Sequence, residues 1–384
     1  MTNIIPERKN ISTSVKTDTI SKLIVNAGGR CSFLGCNEYL LKDSLTLKKY
    51  NASNVAHIIA RKINGPRGNN PLPLSKRNEI DNLILVCRKH HALIDNREYA
   101  NKYPIDLLLK YKHEHERRIF RLTGISPKRK TQVICFKYQI GNELVKITEE
   151  DIYEALYPYY PTDNNIVIDC TNGDVGTKDY YDNIAIDIKS RIDRMTQLQE
   201  CPEHVSVFAL APMPLLIYLG YCLSNKVKTE LYQRHRSIPE TWKWPKSRSD
   251  VDFKFEKIKS GVKSNVALII SLSGSIDVKD LPQNISSKYN IYRITLKTGI
   301  PTPVFLKSKK TLNNFKNIYQ VAIRTIKKDQ NTKTIHLFPA MPAPIAVLCG
   351  RELLKKIDPD ILVYDNNKQN GGFYPVLTIK NKNI

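Results

Sequence analysis

The sequence predicts two folded parts in one chain: a small α+β module stapled by a structural metal ion, and after it an α/β region of two fused Rossmann-like units. Three observations carry that prediction. Cysteines and a histidine stand in two short knuckles of the first hundred residues, C-x4-C in GGRCSFLGCNEYL and C-x2-H in VCRKHH. Beyond residue 130, short apolar runs such as NIVIDC, VSVFAL and NVALIISL alternate with longer amphipathic ones, the pattern of strands and covering helices. Finally, FALAPMPLLIYLG is echoed 130 residues later by FPAMPAPIAVLCG, with Phe208 and Phe338, Pro212 and Pro342, Pro214 and Pro344, and Gly220 and Gly350 in equivalent places.

The knuckles come first along the chain. Cys31, Cys36, Cys87 and His90 are the soft and borderline donors that a closed tetrahedral zinc site takes. Gly28, Gly29 and Gly35 allow the tight turns that bring both early thiolates to one ion. A bound ion also accounts for how a module rich in loops such as NGPRGNNPLPLSKRN stays folded. Cys135, Cys170, Cys201, Cys222 and Cys349 lie in apolar runs without partner spacing and are expected in the core. Leu107, Leu108, Tyr111, His115, Arg118 and Ile119 recur at near-helical spacing, predicting a helix opened by Pro104 and closed by Gly124. The polar, basic ISPKRKT follows. The expected organisation is therefore a module over 1–123, a linker over 124–132 and the α/β region over 133–384.

Composition bounds what such a chain does. With 41% hydrophobic and 25% charged residues, the 384-residue chain is globular rather than disordered or fibrous. Its longest uncharged stretch, FALAPMPLLIYLGYCLSN, holds two prolines and ends in polar residues, a poor membrane span. MTNIIPERKN lacks a signal-peptide core, so a cytoplasmic location with no membrane partner is expected. A formal net charge of +23 points to a polyanionic partner, nucleic acid first.

His57 in NVAHIIA, Asn82 in DNLILVC and His91 beside His90 are interleaved with the knuckles. Together AHI, GPR, NLILVC and HHALID resemble the HNH nucleases, members of the ββα-metal endonucleases, over about residues 28 to 100. The resemblance implies that His57 is the general base and that His91 ligates a catalytic divalent ion, magnesium or another. It also implies that Asn82 braces the loop carrying His57. A histidine near its ordinary pKa suits the base, and a divalent ion suits the charge on a scissile phosphate. The sequence departs from the family at Ala56, where many members carry an acid, and Asp81 and Asp95 are the neighbouring candidates. Lys48, Lys49, Arg61, Lys62 and Arg67 are expected phosphate contacts.

In the second region His204, His235 and His336 stand isolated, and no nucleotide fingerprint with its acidic follower occurs. LYQRHRSIPETWKWP sets Tyr232, Trp242 and Trp244 among Arg234, Arg236 and Lys243, a mixture that stacks a base and neutralises a phosphate. SLSGS supplies a small-residue loop, Ser273 and Gly274, where a phosphate meets backbone N–H groups. With FALAPMP, GYCL, FPAMPAPIAVLCGRELL and GGFYPVLTI, these stretches resemble the SAVED domain over roughly residues 135 to 384. That family fuses two CARF-like units and senses cyclic oligonucleotides in bacterial antiphage signalling (CBASS). The resemblance implies an HNH–SAVED effector. By the same resemblance a cyclic di- or trinucleotide is expected to drive assembly into a homo-oligomer, dimer to tetramer, and to switch on degradation of double-stranded DNA with little sequence preference. The expected ligand contacts are Tyr232, Arg234, Trp242, Trp244, Ser273, Gly274, Phe338 and Met341, on segments at the C-terminal ends of strands. The competing readings are a modification-dependent restriction endonuclease and a non-catalytic, zinc-containing DNA-binding regulator.

Overall fold

The computed structural model describes residues 14–42, 46, 48–49, 51–140, 143–145, 147–171, 176–197, 202–236, 240–245, 250–367 and 371–381. Cys201 lies outside these residues. Two compact units divide the chain between Ser126 and Pro127. The segment 124–132 is therefore only partly a connection: residues 127–129 form a single 3-10 turn, and Lys130–Gln132 already open a strand. Burial of Thr131, 1% exposed, pulls that start inward.

The first unit runs α1 (Thr17–Asn26), β1 (Ser53–His57), β2 (Leu83–Cys87), α2 (Arg88–Asp95) and α3 (Ile105–Thr123). β1 and β2 pair antiparallel, with His57 opposite Leu83. Every residue of β2 is buried, so a short apolar run reads as the central element of a small core. α2 follows β2 without a loop, capped by Cys87. α3 begins after Pro104 and ends at Gly124, whose N–H bonds to the Phe120 carbonyl, so both sequence signals act where they stand.

The second unit holds two sheets. The first combines β3 (Lys130–Ile140), β4 (Glu143–Val145), β5 (Tyr160–Pro161), β6 (Ile166–Asp169), β7 (His204–Phe208) and β8 (Lys228–Tyr232), parallel along β3, β7 and β8. Helices α4 (Glu149–Leu156), α5 (Lys178–Gln197) and α6 (Met213–Leu223) accompany it. The second sheet contains β9 (Phe253–Lys259), β10 (Val266–Ser271), β11 (Asn290–Leu296), β12 (Thr334–Ala340), β13 (Asp360–Asn367) and β14 (Gly372–Ile379). Its order is β14-β13-β12-β10-β11-β9, parallel in the middle and antiparallel at both edges. Its helices are α7 (Gln283–Lys288), α8 (Lys309–Gln330) and α9 (Ala343–Arg351). One apolar core joins residues of both sheets with α5, α6, α8 and α9.

The 130-residue echo becomes a pair of crossing helices. α6 follows β7 and α9 follows β12, each N-capped by a proline with another inside the first turn. Where they cross, a Cβ on Gly220 would lie 1.9 Å from the Val347 carbonyl oxygen, and one on Gly350 would lie 1.8 Å from that of Ile217. Each glycine thus meets the residue three positions before the other, backbone against backbone. The echo extends to the outer face of each sheet. Phe208 stacks on Tyr232 at 4.2 Å with Trp242 edge-on, and Phe338 stacks on Tyr364 at 4.3 Å with Phe373 edge-on.

Three histidines of this unit are held neutral by burial. His204 stacks on Tyr159 at 4.0 Å, its Nδ1 lies 2.8 Å from the Thr131 hydroxyl, and burial pulls its pKa down to about 4. Burial also lowers the pKa of His235 and His336. As pH falls below the unfolded value near 6.5, the unfolded chain takes up protons that the folded unit refuses, so stability drops until pH reaches the folded value. His204 alone is expected to remove about 2 kcal/mol between pH 7.5 and pH 5. Chemical denaturation at the two pH values measures this, and His204→Phe, which keeps the stack, is expected to shrink the difference.

Candidate functional site

The knuckles converge. The C-x2-H spacing spans the first turn of α2, which puts Cys87 and His90 on one face. The Cys87 N–H donates to Cys31 Sγ at 3.3 Å, tying the early knuckle to the helix start. His90 Nδ1 lies 3.1 Å from Cys87 Sγ and 3.6 Å from Cys31 Sγ, and its ring stacks on Phe33 at 4.0 Å. Gly28, Gly29 and Gly35 all carry positive φ, the freedom the turns around Cys31 and Cys36 require. The donor atoms of Cys31, Cys36, Cys87 and His90 all lie within 4.8 Å of one another. Ligands around tetrahedral zinc stand roughly 3.5–4 Å apart, so this S3N set fits the ion after a small contraction. Burial pushes the Cys31 thiol up to about 12 and raises that of Cys87, so a bound cation would be needed to hold these sulfurs as thiolates near neutral pH.

His91, one residue on, leaves that face and meets Asp95 across one helical turn, Nε2 to Oδ2 3.7 Å. Of the two acids considered beside Ala56, Asp95 is the one that reaches His91, while Asp81 is exposed on its 3-10 turn. Ala56 is fully buried in the core of the unit, so its side chain faces away from solvent. His57 closes β1, and its Nε2 stands 3.0 Å from Asn78 Oδ1. Asn82 is buried, with Oδ1 accepting the Ile59 N–H and Nδ2 donating to the Ile59 and Arg77 carbonyls, at 2.8 to 2.9 Å. It pins the chain just past His57.

Two arginines complete that loop, and sequence reasoning missed the part each plays. Arg77, 2% exposed, gives hydrogen bonds to the carbonyls of Leu72, Ala60, Arg61, Gly68 and Asn70. Arg67, expected on phosphate, instead donates Nε to the Ile58 carbonyl at 2.6 Å and both Nη atoms to the Ile94 carbonyl at 3.1 Å. Lys48, Lys49 and Lys62 are exposed and Arg61 half-buried.

In the second unit a cavity of about 530 Å³ opens at the C-terminal ends of β7, β8, β10 and β12. Arg234, Ser273 and Met341 of the expected set line it. Tyr232, Trp242 and Phe338 do not: they are 3%, 4% and 0% exposed and build the aromatic layers behind the strands. Trp244 lies against His235, and with Tyr232 it borders a different depression. Gly274 lies outside the cavity, and the Ser273 N–H is already given to the Ala340 carbonyl.

Other residues supply the polarity. Gln233, His235, Arg236 and Lys307 line the cavity, and so do Met213 and Ala343, the first residues of α6 and α9. Both helix N-termini thus face one space, and their dipoles favour an anion. Pro214 and Pro344 carry no N–H, and Leu215, Leu216, Ile345 and Ala346 bond back to the capping prolines. Met213 and Ala343 therefore keep the free first-turn N–H groups among the described residues. Arg234 pairs with Glu240, whereas Arg236 and Lys307 have no acidic partner among the described residues. Gln233 Oε1 and His235 Nε2 are buried without partners. The signal in the sequence was position: Gln233, His235 and Arg236 come just after the apolar run of β8, and Met213 and Ala343 directly after a proline cap, whereas Lys307 lies in the loop before α8 with no such signal.

Comparison with known proteins matches residues 185–379 to the SAVED family, the SMODS-associated and fused to various effectors sensor domain. Solved structures similar to the chain include the Acinetobacter baumannii Cap4 SAVED/CARF-domain containing receptor with the cyclic trinucleotide 3'3'3'-cAAA. It is 13% identical, with TM-score 0.46, over 74% of this chain and 62% of that one. The same receptor with 2'3'3'-cAAA is 15% identical, with TM-score 0.45, over 81% and 62%. The Moraxella osloensis Cap4 receptor is 14% identical, with TM-score 0.43, over 73% and 59%. The chain thus spans at most 62% of the length of these receptors. No curated protein matches it. Among the described residues no helix is long and apolar enough to cross a membrane.

Proposed function

Since the chain belongs to the SAVED family, we propose that its second unit binds a cyclic oligonucleotide and that binding switches on a DNA endonuclease of HNH type in the first unit. The observation that carries the reading is the cavity itself. Two helix N-termini, Arg234, Arg236 and Lys307 converge on a space with two unsatisfied polar side chains in its wall, a match for phosphates alternating with bases. The ligand must favour the active state over the idle one for binding to act as a switch, and ligand-driven self-association is the form of that preference we propose.

In the first unit, the proposed reaction is hydrolysis of a phosphodiester in double-stranded DNA. His57 donates its Nε2 proton to Asn78 Oδ1, which leaves Nδ1 to take the proton from an attacking water. Asn82 and Arg77 hold the loop after His57 so that this nitrogen keeps its direction. His91 and Asp95 are the side chains that would hold a divalent ion, which supplies charge stabilisation at the phosphate. The Cys31, Cys36, Cys87 and His90 set takes zinc in a structural role.

The test is plasmid degradation with magnesium, with and without a panel of cyclic di- and trinucleotides. Cleavage is expected with one class of ligand only and is expected to disappear in His57→Ala. Arg236→Ala is expected to raise the activating concentration about tenfold or more, the loss of one charge-assisted phosphate contact. Cleavage that ignores every added nucleotide would point to a restriction enzyme, and binding without cleavage to a regulator.

A further inference from the structure

The guanidinium of Arg67 lies between the two segments that carry the proposed chemistry. Its Nε bonds the carbonyl of Ile58, the residue after His57, and its Nη atoms bond the carbonyl of Ile94, inside α2 between His91 and the end of the helix. No other described side chain hydrogen-bonds both carbonyls. Asp95, the partner of His91, is close enough to favour the charged form of Arg67 against the effect of burial. The backbone adds an independent sign. Arg67 has φ +58, a left-handed conformation that a long side chain adopts at a cost unless its surroundings impose it. The tight turn around it imposes it: the Gly65 N–H bonds the Lys62 carbonyl, the Gly68 N–H bonds the Gly65 carbonyl, and a Cβ on Gly68 would sit 2.2 Å from the Lys62 carbonyl oxygen. The strained turn aims the guanidinium inward rather than toward a DNA backbone.

We propose that Arg67 is a positioning residue that fixes the separation of His57 from the His91–Asp95 pair, rather than a phosphate contact. The inference rests on the nuclease reading of these residues. A brace between the proton acceptor and the metal-holding pair acts on the chemical step, because a displacement of about 1 Å between reacting groups costs on the order of 100-fold in rate. A phosphate contact acts on binding, and its loss lowers the salt dependence of DNA affinity by about one counterion.

Arg67→Gly separates the two, since glycine accepts the left-handed backbone and removes only the side chain. Measured on the full chain with activating ligand, kcat is expected to fall about 100-fold while KM and its salt slope hold. Millimolar guanidinium is expected to restore at least tenfold of that loss, and Arg67→Lys to restore little, since an ammonium cannot span two carbonyls. Hydrogen exchange, which needs no activity, is expected to rise at residues 58–60 and 92–96 together. A raised KM and a shallower salt slope at unchanged kcat would overturn the proposal, as would unchanged exchange in either segment. Wild type that cuts no DNA under any activator would instead remove the nuclease reading beneath it, and the exchange result would then report a structural brace alone.

Discussion

Stripping the metal from the first unit will unfold it and leave the second unit standing. Calorimetry of the full chain in a zinc chelator, or of Cys87→Ser, is expected to lose one transition and keep the other. Among the described residues the core of the first unit is thirteen buried apolar or thiol side chains around a two-stranded sheet, with long loops on either side. A module of that kind rarely holds more than a few kcal/mol from its core alone. Structural zinc contributes on the order of 10 kcal/mol of apparent folding free energy, more than the module has to spare. Cys87 is also a member of the buried core, so the serine variant removes a ligand and places a hydroxyl in that core at once. The chelator arm, which leaves the sequence intact, is therefore the sharper one. Metal analysis of the purified protein finding no zinc, or a chelator scan identical to the untreated one, would remove the assignment.

Gly350→Ala will separate α6 from α9 and destabilise the second unit by about 3 kcal/mol or more. The added methyl would start 1.8 Å from the Ile217 carbonyl oxygen and 2.6 Å from the Tyr221 nitrogen, backbone atoms that cannot rotate away. Gly220→Ala makes the mirror clash on Val347 and is expected to cost a similar amount. Because both substitutions relax through the same shift, the double variant should cost much less than their sum. Denaturant unfolding of the four proteins gives the coupling. Ligand affinity should fall with stability, since both helices begin at the cavity wall and a shift at the crossing moves Met213 and Ala343 apart. Additive effects, or variants as stable as wild type, would mean that the helices tolerate a wider crossing.

These residues mark how far sequence alone carries. The spacing of Cys31, Cys36, Cys87 and His90 could be read directly because a tetrahedral ion constrains donors more than it constrains the chain between them. The echo of Gly220 in Gly350 was equally legible, though as a repeat; only the crossing revealed why both must lack a side chain. Of the residues expected at the cavity, Arg234, Ser273 and Met341 line it, while Tyr232, Trp242 and Phe338 lie buried behind the strands. Tyr232 ends β8 facing the aromatic layer, and the next four residues, Gln233 to Arg236, turn into the cavity. A composition argument drawn to aromatic rings cannot see that a strand's last residue and its successors serve different faces. Arg67 and Arg77 were illegible for another reason. Their partners are carbonyls, which every residue has, so nothing in the sequence distinguishes an arginine that holds a loop from one that awaits DNA.

Arg77 carries one more consequence. With zinc bound as proposed, the first unit would contain two cation-centred staples of opposite kinds, one exchangeable and held by three thiolates and an imidazole, the other a guanidinium linked to the chain by covalent bonds. The first obeys mass action: it leaves when free metal is scarce and returns when metal is restored. The second has no dissociation constant, because its cation cannot diffuse away from its five carbonyls. Metal loss therefore acts directly on the knuckles and reaches the loop between His57 and Asn82 only through the opening of the core around it.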